Sequence, residues 1–293
     1  MLTFRFSKFQ LAFAYSFLCL AFVCSIKGKA QYLLPIGARA NAIGGSTITL
    51  PDAFAVFSNP ASTTIQEQNS VGLFYDHRYN ISGLSNLAFA GNFKIKKTTI
   101  LGGIARSGDE LLNHCRLEVA IAHKIRNVSL GGGAGYHQIM VSENGVAQNI
   151  TFQFGGVAEL TPKLTYGAHI YNILRSKVSK EKSIYYPVIM RMGLSYKPIK
   201  KVFISAEIEK DSRFEPNFKA GMEYQPFEKL YFRTGFNSNP SNGFFGIGIK
   251  LKEWKFDYGI ALHNRLGLTH YIGLEFGLTA ISTKNSVQPE NPQ

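Results

Sequence analysis

The chain has 293 residues, with 32 Lys and Arg against 19 Asp and Glu for a formal net charge of +13. Its mean hydropathy is −0.03. That length admits one large barrel or two ordinary domains. Of three cysteines only Cys115 lies beyond residue 30, which excludes a disulfide framework or a cysteine-built zinc cluster in the remainder.

Residues 1–30 read as a secretory signal peptide: Arg5 and Lys8 form a basic start, Leu11 to Ile26 is apolar, and Gly28-Lys29-Ala30 precedes Gln31 in a small-x-small pattern. The run is short for a spanning helix, so cleavage near Ala30-Gln31 is expected over a retained anchor. Cys24 lacks the small preceding residues that a lipoprotein site needs. Removing Arg5, Lys8, Lys27 and Lys29 leaves 28 basic against 19 acidic residues, or +9. A basic balance alone can mean nucleic acid. No recognition helix, finger or RNA-binding sheet motif accompanies it, so no nucleic-acid partner is expected.

Residues 31–68 are rich in small side chains, as in Ile36 to Ser46 and Leu50 to Ser62, with a helical turn expected near 52–58. The apolar residues Ala53, Phe54, Val56 and Phe57 call for something to pack against. A hatch or plug inside a barrel lumen satisfies them.

From residue 69 to 278 the chain alternates apolar with polar or small residues, the two-residue period of a strand. Trp254 to His263 follows it without one exception. Fourteen strands are expected near 70–78, 85–95, 98–106, 114–124, 128–138, 149–160, 163–173, 187–197, 201–209, 216–225, 229–237, 242–251, 253–262 and 268–278. Segments of about 9–11 residues are long enough to cross hydrocarbon at a tilt. Val202, Ile204, Ala206 and Ile208 share one face, opposite Phe203, Ser205, Glu207 and Glu209. A β-sandwich gives the same alternation. The glycine-rich polar face favours a barrel, because glycine is a poor strand former at a soluble surface but suits a lumen that holds a plug. Short connections such as Ile95-Lys-Lys97 alternate with longer ones such as Ile173–Tyr186, placing short turns on the periplasmic side and long loops outside. Residues 279–293 are polar and contain two prolines, the composition of a disordered tail. The expected fold is therefore an all-β, transmembrane antiparallel barrel of about 14 strands with an N-terminal hatch in the lumen.

Gly37-Ala-Arg39-Ala-Asn-Ala-Ile-Gly44-Gly45, followed by Pro51-Asp52 and Phe57-Ser-Asn59-Pro60-Ala61, resembles the opening of the PorV/PorQ family of Bacteroidota outer-membrane proteins. That family is similar in turn to the FadL fatty-acid transporters, fourteen-stranded barrels with an internal N-terminal hatch. The resemblance implies a bacterial outer-membrane location among lipid and lipopolysaccharide. It further implies a role as an accessory or docking component of type IX-like protein secretion, with machinery proteins or exported cargo as partners. The alternative it leaves open is FadL-like transport of hydrophobic small molecules.

Nothing in the chain announces catalysis. Gly131 to Gly135 lacks the Lys-Ser/Thr of a phosphate loop and lies within a strand pattern. The seven histidines show no metal spacing, and no cofactor is expected. His137 with Ser142 is a weak hydrolase pair without an orienting third group; His123 and His137 read instead as interfacial residues near strand ends. The inward-facing charges form the remaining candidate site: Glu159, Arg191, Lys197, Glu207, Glu209, Lys219, Glu223, Arg233, Lys250, Lys255, Asp257 and Glu275. They are expected to form a mutually neutralising lumen network that holds the hatch, or else a polar path for solutes. Lys177, Lys180 and Lys182 offer contacts to lipopolysaccharide phosphates.

Overall fold

A computed structural model describes residues 35–66, 68–81, 83–143, 145–177, 185–263 and 266–278. The expected signal peptide and C-terminal tail lie outside the described residues. Three short helical elements come first: α1 (Ala38–Ala42) and the 3-10 turns η1 (Ala53–Phe57) and η2 (Pro60–Ile65). Fourteen strands follow among the described residues: β1 (Asn69–Arg78), β2 (Ser85–Ile95), β3 (Thr98–Gly108), β4 (Leu112–Ile125), β5 (Val128–Val141), β6 (Gly145–Glu159), β7 (Leu164–Tyr171), β8 (Ile189–Tyr196), β9 (Val202–Asp211), β10 (Asn217–Phe227), β11 (Leu230–Ser238), β12 (Ser241–Leu251), β13 (Trp254–His263) and β14 (Gly267–Leu278). Each pairs antiparallel with its sequence neighbours, and β1 pairs with β14 from Asn69↔Leu278 to Arg78↔Thr269. The sheet thereby closes on itself, leaving no edge strand with unpaired backbone groups.

The side-chain partition is the reverse of a water-soluble protein's. Every strand exposes large apolar residues, among them Leu87 at 57% and Phe89 at 49%, whereas Lys219, Glu207 and Glu118 are buried at 1%, 1% and 0%. Soluble monomers rarely expose contiguous apolar patches beyond a few hundred Å2, and this girdle encircles the molecule. Acyl chains are the surroundings that such a face requires, so the strands are membrane-spanning. A sandwich, which would bury these side chains between two sheets, is excluded by the closed strand order.

The six turns from β2–β3 to β12–β13 lie at one end and span two to five residues; the expected alternation with longer loops holds mainly for 79–84 and 172–188 at the other end, where Asn239-Pro240 alone joins β11 to β12. Four of these turns are only two residues long, and three of the four open on Lys96, Arg126 and Lys252 with φ of 58°, 55° and 54°. The β10–β11 end carries a register shift between Tyr224 and Phe227, around Pro226, which lacks an N–H to donate. Strand boundaries differ from the sequence expectation by a few residues at most. The main gain is at β4–β6, which extend further toward the long loops because Leu112, Val141 and Gly145 continue the ladder.

Candidate functional site

The N-terminal segment is built from capped turns rather than from one regular element. Asp52 begins η1 by accepting a hydrogen bond from the Phe54 backbone N–H at 2.9 Å. Asn59 begins η2 in the same way, accepting from Ala61 N–H at 3.2 Å, with Pro60 at the first helical position, where no N–H is needed. The Asn59 amide also donates to the Ile48 carbonyl at 2.8 Å and to the Gly156 carbonyl of β6 at 3.3 Å. One side chain therefore shapes the segment and ties it to the barrel wall. Gly44 and Gly45 sit at φ +73° and +75°, where other residues are strained.

This segment fits the lumen because the inward strand positions it meets are glycines. A Cβ on Gly72 would lie 2.8 Å from the Phe54 ring, one on Gly103 2.7 Å from the Phe57 ring, and one on Gly131 2.9 Å from Ala61 N. At Gly221 and Gly235 it would collide with the backbone of Ile43 and Gly44. Absence of a side chain is what lets two backbones approach so closely. Phe54 meets the Phe74 ring edge-on at 6.1 Å, and Ala53, Ala55 and Val56 are fully buried in the same apolar cluster.

Two charge networks bind the segment electrostatically. In the first, Arg39 makes a bidentate pair with Glu223, and Glu223 also accepts from Arg233 Nε at 2.6 Å. Arg233 then reaches Asp257 at 2.8 Å, and Lys255 lies 3.7 Å from Asp257. In the second, Glu209 accepts from Arg191 at 2.6 Å and Lys219 at 2.8 Å. Glu207 lies 3.4 Å from Lys219 and accepts the Thr47 and Ile48 backbone N–H groups at 2.7 and 2.8 Å. Buried charges persist only when paired and hydrogen-bonded, and these are. Burial opposes the Arg39 charge, but the adjacent Glu223 carboxylate overrides it and raises the guanidinium pKa. Asp52 is pushed up to about 7, by burial first and by the Glu275 carboxylate second, with Arg39 and Lys255 pulling the other way.

A third network was not among the expected site residues. Tyr171 donates to Glu118 at 2.7 Å and lies 2.6 Å from His137 Nε2, while His137 Nδ1 lies 2.9 Å from the Tyr186 hydroxyl and 3.1 Å from His114. Gln153 extends the chain, donating to Glu118 at 3.1 Å and to the Val56 carbonyl of η1 at 3.0 Å. Arg116 lies over the Phe57 ring at 4.5 Å. The signal was present, since His114, Arg116 and Glu118 alternate with Cys115, Leu117 and Val119. Two facing tyrosines and a histidine do not stand out in the sequence as a charge cluster.

The structure corrects or refines the expected placement of His137, Lys250, Glu159 and Glu275. His137 is fully buried in the lumen, not interfacial, because the odd positions of β5 face inward; its nitrogens face Thr151, Tyr171, Tyr186 and His114. Lys250 has the inward parity but is exposed, since it stands one residue from the end of β12. Glu159 also sits at the rim, half-buried, pairing with Lys124 at 2.9 Å. Glu275 is half-buried, opposite Lys255 in the β13–β14 register. His123 is exposed near a strand end, as expected.

Between segment and wall is a cavity of about 10 Å3, lined by residues including Ile36, Phe54, Phe57, Arg116, Tyr171 and Arg191. That is about the room one water needs.

Solved structures match this architecture over most of the chain. The chain superposes on the CymD monoaromatic hydrocarbon channel with a TM-score of 0.68 at 12% identity, covering 85% of this chain and 99% of that one. The Ralstonia pickettii toluene transporter TbuX gives 0.66 at 13%, covering 85% and 100%. The Pseudomonas putida toluene transporter TodX gives 0.65 at 12%, covering 84% and 99%. The protein has the FadL-like barrel fold. No family model matches the sequence, and no curated protein matches it. These neighbours are themselves a channel and two transporters.

Proposed function

We propose that the protein passes hydrophobic small molecules across the bacterial outer membrane. The observation that carries this reading is the match of 84–85% of the chain to a monoaromatic hydrocarbon channel and two toluene transporters. The internal segment, seated on inward-facing glycines and tied to the wall by ion pairs, supports a gated rather than an open pore. On this reading a solute enters by shifting that segment from its seat on Gly221 and Gly235. Lipid and lipopolysaccharide are then its surroundings.

The PorV/PorQ-like opening from Gly37 to Ala61 is what speaks for a docking role in type IX-like secretion, and the structural neighbours support the transport alternative instead. Uptake of radiolabelled toluene by cells lacking other hydrocarbon channels separates the two. Expression should raise the uptake rate several-fold while leaving that of a labelled sugar unchanged. Rates equal to those of an empty vector, with co-purification of a secretion complex, would reverse the choice.

A further inference from the structure

Among the described residues, the excess positive charge at the rims of the barrel lies at one end. The six short turns, with two strand residues on each side, hold thirteen Lys or Arg against three Glu. The long-loop end, taken the same way, holds five basic against five acidic residues among those described. Every short turn contributes a cation: Lys96, Arg126, Lys163, Lys200, Lys229 and Lys252 are all exposed. None of these six enters an ion pair among the described residues.

Two further observations give the ring a direction. Four of the cations directly follow a large exposed apolar residue, in Ile95-Lys96, Ile125-Arg126, Ile199-Lys200 and Leu251-Lys252. The charges therefore begin where the lipid-facing girdle ends, at the level of head groups, with stems able to lie along the apolar surface. Moreover, Lys96, Arg126 and Lys252 occupy left-handed turn positions, at φ 58°, 55° and 54°, which ordinarily select Gly or Asn. The turns hold a cation where conformational preference asks for another residue.

We propose that this rim binds the anionic phosphodiester head groups of the lipid leaflet on the short-turn side, the periplasmic leaflet in the orientation inferred above. A protein partner would dock on one sector; a cation on every turn of a closed ring matches a lipid annulus. Basic residues at the head-group level attract anionic lipids at short range and in a salt-dependent way.

The test is native mass spectrometry of the full barrel extracted from bilayers of equal phosphatidylglycerol and phosphatidylcholine. Retained lipid should be enriched in phosphatidylglycerol by about tenfold, given several cations at the surface. The enrichment should fall in high salt. It should vanish in a six-site variant, Lys96→Asn, Arg126→Asn, Lys252→Asn, Lys163→Gln, Lys200→Gln and Lys229→Gln. The three Asn changes suit the left-handed turns, so this variant retains its fold. An Arg175→Gln/Lys177→Gln variant of the long-loop end should keep the enrichment. Equal retention of the two lipids by the unmodified protein would overturn the proposal and leave the rim to an acidic periplasmic protein. Undiminished enrichment in the six-site variant would overturn it too.

Discussion

Arg39 and Glu223, 184 positions apart in the chain, meet in a two-pronged ion pair with both N–O distances at 2.8 Å. One comes from α1 and the other from β10, so the pair fastens the internal segment to the wall. Replacing Arg39 with Ala strands a buried carboxylate that Arg233 only partly satisfies, a change that costs about 3–5 kcal/mol. Hydrogen exchange should show residues 36–65 losing protection while strand amides keep theirs. Uniform loss across the barrel would mean that the pair serves the wall rather than the segment.

A side chain at Gly221 has nowhere to go but into the Ile43 backbone. Gly221→Ala should therefore destabilise segment docking by roughly 1–3 kcal/mol. Gly132→Ala is the control, because its nearest neighbour would be the Gln153 carbonyl at 3.5 Å, an ordinary contact. Limited proteolysis of the segment distinguishes the two; equal sensitivity would contradict the seating.

Asp52 gives the docked segment a pH dependence of definite sign. Its carboxyl titrates near 7 when docked, against 3.8 ordinarily, so docking favours the protonated acid. That contribution is fully present below about pH 4 and is lost as pH rises through about 7, amounting to a few kcal/mol at most. Exchange protection of residues 36–65 should be lower at pH 8 than at pH 5. Asp52→Asn keeps a cap for η1 and should flatten the difference; protection that rises with pH would refute the assignment.

On the outer face, Phe89 stands near the middle of β2, exposed to what must be hydrocarbon. Phe89→Arg should cost about 2–4 kcal/mol in denaturant titrations of the barrel folded into vesicles. A change within about 0.5 kcal/mol, the usual range for a water-exposed surface site, would argue that water and not lipid borders β2.

The strands were legible because one period of two runs through each, and because a slip of one residue would put Lys219 or Glu207 into lipid. The glycine-lined inward face was legible for the same reason, and Gly131, Gly221 and Gly235 do receive the segment. What sequence spacing does not carry is which inward residues meet across the lumen. Tyr171, Glu118 and His137 lie on β7, β4 and β5, and the strand register, which spacing alone does not give, brings them together. The ends of strands were equally hidden: Lys250 obeys the alternation yet stands in solvent, since periodicity says nothing about depth.

The most direct measurement of the proposed passage is toluene uptake by a barrel whose segment is locked to its wall. A Cβ at position 259 would lie 3.4 Å from that of Ala42, near disulfide geometry, so Ala42→Cys/Gly259→Cys forms the lock. Uptake should match the unmodified protein when the pair is reduced and fall to background when it is oxidised. Equal uptake in both states would show that solutes cross without moving the segment, contradicting the gated path.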